Sequence, residues 1–522
     1  MVGRDRVGAR GLAIGLVLLA GVCAPAPARD FTVPGTTARV EAGGYVDGLA
    51  VAEIGGPSQR PQAIAELRFL GKLSRILRAQ VTLRTRAGGP FEGGHPGMMN
   101  LVHEFQNRTP SLEWNEAWAE LRLGDAQVRA GIQKFAWGKL DGLPPTDVLT
   151  PRDLHDPIVR DIEESKIGIP AVQLGYPLPA VPAIDLSELR ATFVYIPIAV
   201  PARLALAQER WFPPSIRSGD IFVPERKAEH LLTAISGLPA DLAGPVRIPV
   251  DFRTLNNRPP KTFDAGGGAF RLAGTLHGMD WSISHYTGPE TGPDATLLAS
   301  ARCRQCPDPN VGLPAGRLPV HARAFLRQEH DIIHMTGADW STTLGGATVR
   351  AEVAVFQDRP YLRNSADVIA RALTPPVARR YGPDLVLKGV RKRIPLQELF
   401  PDRDSVEWGV GADYLIEGFL PLLQVNQVVF TDHGPEELLS DPETRLLASV
   451  RKRFLQDTLE VELRGVYAFE RAAWFAYPRV SYRYGDHWRF RLGYLAIGGP
   501  TASVIGQFHA NDEFTLEARY SF

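Results

Sequence analysis

The sequence has no long apolar run, few cysteines and almost no net charge, and these absences exclude several classes of protein. No stretch of the 522 residues approaches the 18 consecutive apolar residues of a membrane-spanning helix. The 58 basic residues balance 58 acidic ones, which argues against nucleic acid as a partner. What remains is a chain rich in glycine and proline, with 50 and 43 residues respectively.

The N terminus has the pattern of a secretory signal peptide. Three arginines in residues 1–10 precede the apolar run Gly11–Val22, and Ala26–Ala28 offers small residues for cleavage. Cys23 raises a lipoprotein alternative, but the residues before it fit a lipobox poorly. Removing residues 1–28 leaves a net charge of about −2. An exported chain without an apolar helix is periplasmic, secreted or a membrane β-barrel.

Two cysteines, Cys303 and Cys306, remain after cleavage at that point. An oxidising compartment makes a disulfide within a loop the first expectation. A haem site would need histidine after the second cysteine, where Pro307 stands, and zinc would need a second ligand pair that is absent. Redox or metal roles stay as alternatives, and we expect no metal and no cofactor.

The C-terminal segment, residues 511–522, is the most informative part of the sequence. From Phe514 to Phe522 apolar and polar residues alternate without interruption, which predicts a strand with one apolar and one charged face. This pattern resembles the terminal strand of bacterial outer-membrane barrels. That resemblance implies that Tyr520 and Phe522 form an assembly signal recognised by the barrel-assembly machinery.

Alternating segments recur through the first 137 residues and from Gly266 to the end, and many are long enough to cross a bilayer as tilted strands. Aromatic residues cluster near predicted strand ends, as interfacial girdles require. A periplasmic sandwich or propeller is the alternative, but no propeller-length repeat is visible. We therefore predict an all-β fold, a transmembrane antiparallel β-barrel of about 16 strands (14–18), in residues 29–522. Outer-membrane lipid is then a partner, and the cell outer membrane its location.

Two proline-rich stretches interrupt the strands, at residues 138–170 and around 197–260. Loops of such length are usually functional in compact proteins. Near the first of them, Gly131–Leu154 resembles a large proteobacterial outer-membrane family of unknown function, which is porin-like and distantly similar to alginate-export-type barrels. Tyr195–Arg203 and Arg271–Gly288 carry further parts of the resemblance. It implies a barrel involved in passage of a solute, and it names no substrate.

We expect residues 138–170 to fold inward as a constriction loop, because they combine prolines with charges of both signs directly after a strand. An external loop held by turns and surface salt bridges is the alternative. The constriction residues predicted from the sequence are Asp141, Asp147, Arg152 and Asp153. Charged residues on the polar faces of the last strands are predicted to line the lumen: Glu460, Glu462, Arg464, Arg479, Arg483, Arg489, Arg491, Glu517 and Arg519.

The sequence thus predicts a channel or transporter through which an unknown small solute passes passively, without chemistry. Alternatives are a barrel for apolar compounds and a sheath for a periplasmic partner such as a cytochrome. Catalysis is not expected, because no serine stands in a recognisable nucleophile context. His330 and His334 are four residues apart and could share one face of a strand.

Overall fold

The computed structural model describes residues 29–32, 38–54, 61–88, 111–155, 157–205, 210–212, 219–223, 225–226, 229–230, 233, 246–255, 265–292, 294–303, 320–362, 394–398, 402–434 and 438–522. The predicted signal peptide, residues 1–28, and Cys306 lie outside these ranges. Cys303 is the last residue of a strand. No helix within the described ranges is long and apolar enough to cross a bilayer.

Eighteen strands form one closed antiparallel barrel, because the last strand pairs with the first wall strand, with Tyr45 opposite Ser521 and Glu53 opposite Glu513. The wall strands are β2 Arg39–Glu53, β3 Gln62–Lys72, β4 Leu77–Gly88, β5 Ser111–Leu123, β6 Ala126–Gln133, β8 Ile169–Pro177, β9 Leu186–Ile196, β13 Gly267–Leu276, β14 Met279–Pro289, β17 Ile332–Leu344, β18 Ala347–Pro360, β20 Asp402–Asp413, β21 Phe419–Phe430, β22 Glu443–Phe454, β23 Leu459–Ala468, β24 Ala473–Tyr484, β25 Trp488–Gly498 and β26 Glu513–Ser521.

The barrel fold agrees with the prediction, whereas the strand number exceeds the expected 16 by two and stands at the upper end of the range of 14–18. Strands β8 and β9 lie between the two proline-rich stretches, where the alternation is weak. In β8 the prolines stand at residues 170 and 177, near the strand ends, where a missing N–H is tolerated. An even strand number is the rule for bacterial single-chain barrels.

Short and long connections lie at opposite ends of the barrel. At one end every connection has two to eight residues, as in the two-residue turns His277–Gly278 and Gly345–Gly346. Both residues of these turns have positive φ, the backbone that tight hairpins of twisted strands require. The other end carries all longer connections, including 134–168 between β6 and β8 and 197–266 between β9 and β13.

The two faces of the wall differ in polarity. Leu463, Leu492, Phe514 and Leu516 point outward and are about half exposed. Glu517, the residue after Leu516 in β26, points inward and is buried. The alternation follows from the period of two in a strand, and it gives an apolar outer surface around a polar interior.

Eight further strands lie outside the barrel wall. They are β1 Arg29–Thr32, β7 Asp153–Leu154, β10 Arg203–Leu204, β11 Gly219–Val223, β12 Val246–Leu255, β15 Asp294–Cys303, β16 Val320–Glu329 and β19 Ile394–Glu398. The short strand β1 pairs with β2, and β7 pairs in parallel with β10. The other five form one sheet in the order β11-β12-β16-β15-β19, built from three long connections at the same end of the barrel. The predicted long loop at 197–260 therefore contains strands of its own.

Candidate permeation path

The connection between β6 and β8, residues 134–168, lies inside the barrel, and we call it the inner loop. Its side chains contact inward-facing residues of opposite walls. Glu164 forms an ion pair with Arg519 of β26 at 2.6 Å, and Asp141 forms one with Arg350 of β18 at 3.2 Å. A single helical turn, Ile162–Ser165, is the only helical segment among its described residues. The loop therefore crosses the lumen.

An apolar cluster holds the first part of the inner loop against one side of the barrel. Phe135, Trp137 and Leu149 are buried together with inward-facing residues of the wall, among them Met335 of β17 and Phe356 of β18. Burial of apolar surface of this kind contributes roughly 25 cal/mol per Å². This side of the lumen is closed by packing.

Glu352 of β18 is the most heavily bonded anchor of the inner loop. The residue is 3% exposed, and its carboxylate accepts hydrogen bonds from the backbone amides of Lys139, Leu140 (2.6 Å) and Thr146 (3.2 Å) and from the Thr146 hydroxyl (2.8 Å). Gly138 has φ +90°, and a β-carbon there would come within 2.7 Å of the carboxylate. Glycine therefore lets the turn close around the glutamate.

Asp161 connects the inner loop to the opposite wall. Its Oδ1 lies 2.9 Å from Nη1 of Arg479 and 3.5 Å from Nη1 of Arg464, and its Oδ2 lies 3.5 Å from Nη2 of Arg491. Burial acts to raise the pKa of Asp161, but Arg479 and Arg491 outweigh it and hold the pKa well below its usual range. The carboxylate is therefore ionised.

A second buried ionic cluster holds the middle of the loop. Asp153 accepts hydrogen bonds from Arg86 of β4 and from Arg203 at 3.3 Å, and Glu113 of β5 accepts one from Arg203. Arg203 belongs to β10, whose pairing with β7 joins the connection at 197–266 to the inner loop. Two arginines and two carboxylates buried together compensate one another's desolvation.

Two chambers lie on either side of the inner loop. The outer chamber, of about 350 Å³, faces the end with long connections and is lined by Arg359, Glu407 and Glu443. The inner chamber, of about 680 Å³, faces the end with short turns and is lined by Asp413 and Arg451. Five loop residues line both chambers. They are Gly142, Leu143, Pro144, Asp147 and Arg152. We call these five residues the partition.

Strand β22 runs past the partition from one chamber to the other. Its inward residues Glu443 and Arg445 line the outer chamber, and Leu447, Ser449 and Arg451 line the inner one. The inner loop makes hydrogen bonds to β18, β21 and β23, whereas none to β22 is found among the described residues. The seam between β22 and the loop is therefore closed by packing alone in the described part of the chain.

Gly142 of the loop and Leu447 of β22 face each other across this seam. Gly142 has φ +78°, and a β-carbon there would overlap Cδ1 of the leucine. A side chain at 142 would be strained by the backbone and blocked by its neighbour. The glycine thus leaves the leucine as the side chain that fills the gap.

The four predicted constriction residues all lie on the inner loop but in different surroundings. Asp147 and Arg152 belong to the partition and form an ion pair at 3.2 Å. Asp141 lines the inner chamber, and burial raises its pKa. Asp153 lines neither chamber, and its side chain, 9% exposed, lies in the cluster with Arg203. Their effect on permeation stays a prediction.

The nine predicted lumen residues lie on inward positions of the last four strands. Arg464, Arg479 and Arg491 contact Asp161, and Arg519 contacts Glu164. The remaining five have partners within the wall: Glu462 with Arg479, Glu517 with Arg491, Arg489 with Glu517, Glu460 with Arg453, and Arg483 with the carbonyl of Asp457. Most of these charges are therefore held by the loop or by one another.

The proposed assembly signal lies at the seam where the barrel closes. The Phe522 amide donates to the Gly44 carbonyl at 3.0 Å, and the Gly44 amide donates to the Phe522 carbonyl at 2.9 Å. Tyr520 packs its ring against Trp488 with centroids 5.0 Å apart. Recognition by assembly machinery stays a prediction.

His330 and His334 do not share a strand face. His330 precedes β17 and donates from Nδ1 to the Glu290 carbonyl at 3.0 Å, while His334 lies within β17 and contacts the Thr287 hydroxyl. The strand begins between them, so the alternation that would place them on one face does not hold. Among the described residues, no group of three or more metal-binding side chains converges.

Sequence reasoning missed the residues that fasten the loop. Asp161 and Glu164 stand within the predicted stretch, but nothing in the local sequence distinguishes them from the other acids. Glu352 is 212 residues away in the chain from Leu140, which it binds. Arg203 is 50 residues away from Asp153. Glu352 shares the polar face of its strand with Arg350, so the alternation predicts that it points inward but not that it binds the loop.

Comparisons with known proteins identify similar folds only. No protein-family model matches the chain, and no curated protein matches it. Among solved structures, Acinetobacter baumannii OccAB1 is similar with a TM-score of 0.43 at 9% identity, over 93% of this chain and 96% of that one. Pseudomonas aeruginosa OpdK with vanillate gives 0.42 at 10%, over 92% and 98%, and Pseudomonas aeruginosa OccK2 (OpdF) with glucuronate gives 0.42 at 9%, over 93% and 96%. Likeness at this level transfers neither a substrate nor a function to this chain.

Proposed function

We propose that this protein is a passive channel of the outer membrane for small solutes. An apolar outer face around a closed barrel fits a lipid bilayer, and closure leaves no unpaired edge in it. In barrels of this kind short turns face the periplasm and long connections the exterior. By that rule the outer chamber opens toward the exterior.

The observation that carries the proposal is the pair of chambers separated by the partition. A solute that enters the outer chamber reaches β22, passes the seam at Leu447 and enters the inner chamber beside Arg451. Charged residues of both signs line both chambers, so the route is polar in character. Passage requires no cofactor and no chemical step.

The alternative of a sheath around a cytochrome is disfavoured by the inner loop. Such a sheath would need a wide, empty lumen, and here the loop is bonded to β18 on one side and to β24 on the other. A protein partner within the lumen would have to displace these contacts.

Planar-bilayer recording of the refolded, full-length mature protein tests the proposal. We expect discrete conductance steps in KCl that scale with salt concentration. Liposome swelling with neutral sugars of increasing size should then give a size limit, and deletion of residues 141–157 should raise that limit. A folded barrel that gives neither conductance nor swelling would refute the channel.

A further inference from the structure

Three arginines of neighbouring strands converge on one point of the lumen. Arg464 comes from β23, Arg479 from β24 and Arg491 from β25, and all three face inward. The carboxylate of Asp161 occupies the point where they meet. Three guanidinium groups around one carboxylate form the kind of donor array by which proteins bind anions.

The carboxylate of Asp161 does not saturate these donors. One of its three contacts is 2.9 Å long, and the other two are 3.5 Å. Within the described part of the chain, Asp161 offers the only carboxylate within 4 Å of Arg464. The Arg464 side chain otherwise donates to the carbonyl of Ile158, which also belongs to the inner loop. The ion pair and the hydrogen bond of this arginine therefore both come from the loop, while the Tyr477 ring of β24 lies 5.1 Å from its guanidinium group.

The array is open to the pore. Asp161 and Arg464 both line the inner chamber, and the aspartate side chain is 35% exposed. The nearest acids of the wall are already engaged, because Glu462 binds Arg479, and Glu517 is shared by Arg491 with two further arginines. An anion in the chamber can therefore reach the array, and no second wall carboxylate is free to replace the aspartate.

We propose that Arg464, Arg479 and Arg491 form a binding site for the carboxylate group of a solute, and that Asp161 is its resting occupant. This inference rests on the proposed channel function. The tethered aspartate competes with any free carboxylate, so the site is weak in the wild-type protein. A solute that displaces Asp161 removes this contact between the loop and the wall, while Arg160 stays paired with Asp47 and Glu164 with Arg519.

The test compares Asp161→Asn with the matched control Glu163→Gln. Each removes one negative charge from the same loop, but Glu163 pairs with Lys166 at 2.9 Å and is not within the array. In a KCl gradient, the reversal potential of Asp161→Asn should indicate a chloride-to-potassium permeability ratio several-fold above that of the control. Citrate in the bath should block Asp161→Asn at about tenfold lower concentration than it blocks wild type.

A third variant separates binding from a general loosening of the loop. Arg464→Gln removes one donor of the array, and it should weaken citrate block, even though the loop is then held less tightly. It also keeps the test available if Asp161→Asn does not fold, which heat-modifiable migration on a gel would reveal. Reversal potentials and citrate block equal to those of Glu163→Gln, in a protein that conducts, would overturn the inference. A wild-type protein without conductance would instead refute the channel itself.

Discussion

Replacing Glu352 with glutamine is expected to loosen the inner loop at its most heavily bonded anchor. The carboxylate accepts four hydrogen bonds, two on each oxygen, from Lys139, Leu140 and Thr146. Glutamine has the same shape but only one accepting oxygen. In either orientation of the amide, at least one backbone N–H loses its acceptor and faces an NH₂ group.

The magnitude follows from the kind of bond that is lost. A hydrogen bond to a charged group contributes about 1.5–3 kcal/mol, and a buried donor left unpaired costs about 1–3 kcal/mol. With the neutral amide also weakening the bonds that remain, we expect the free energy of local opening to fall by about 2–4 kcal/mol. Since 1.4 kcal/mol corresponds to a factor of ten in an equilibrium constant, the population of molecules in which this part of the loop is open rises roughly 30- to 1000-fold.

Amide hydrogen exchange in detergent micelles measures this directly. The backbone amides of Lys139, Leu140 and Thr146 should exchange faster by that factor, while amides in the middle of the wall strands keep their protection. Glu407→Gln is the matched control, since Glu407 also faces the lumen but binds Arg359 and Tyr361 rather than the loop. If the three amides exchange at the wild-type rate in Glu352→Gln, the anchor does not hold the loop.

Three further changes test other parts of the structure. Leu447→Ala should raise single-channel conductance above that of Leu420→Ala. Both leucines line the inner chamber, but only Leu447 faces Gly142 of the partition across the seam, so equal conductances would contradict a path along the seam. Arg203→Ala should lower the free energy of unfolding in urea by about 3–5 kcal/mol, since it removes one of the two arginines that neutralise the buried carboxylates of Glu113 and Asp153. That loss should be the same at pH 7.5 and pH 5. Burial acts to raise the pKa of Asp153, but Arg86, His155 and Arg203 together outweigh burial and hold the pKa well below its usual range. This carboxylate therefore contributes stability above an unfolded pKa of about 3.9, and that stability is lost only at lower pH. A loss that shrinks markedly at pH 5 would count against a persistently ionised Asp153.

The barrel could be predicted from the sequence because the alternation of apolar and polar residues is present within each strand. In β26 the alternation of Phe514 to Ser521 appears unchanged as the alternation of outward and inward side chains. Each strand carries this period whatever its partners are. The strand number was less accessible, because β8 begins and ends near prolines and shows little alternation.

The contacts of the inner loop could not be predicted, because they depend on residues far away in the chain. The composition of residues 138–170 indicated an inward segment, but Asp141 and Asp161 look alike in sequence. Only the closed barrel brings Arg464 and Arg491 to Asp161. It also brings Arg350 to Asp141. Likewise, Asp153 is a buried partner of Arg203 and not a residue of the path.

The distances along the chain between the loop and its anchors imply an order of folding. Leu140 and Glu352 are 212 residues apart, Asp161 and Arg491 are 330, and Glu164 and Arg519 are 355. Contacts of such high sequence separation form late, since the entropy of closing the intervening chain is lost before they contribute. The loop can therefore dock completely only once β25 and β26 are in the wall. A barrel interrupted before that point would be not only unclosed but also unobstructed.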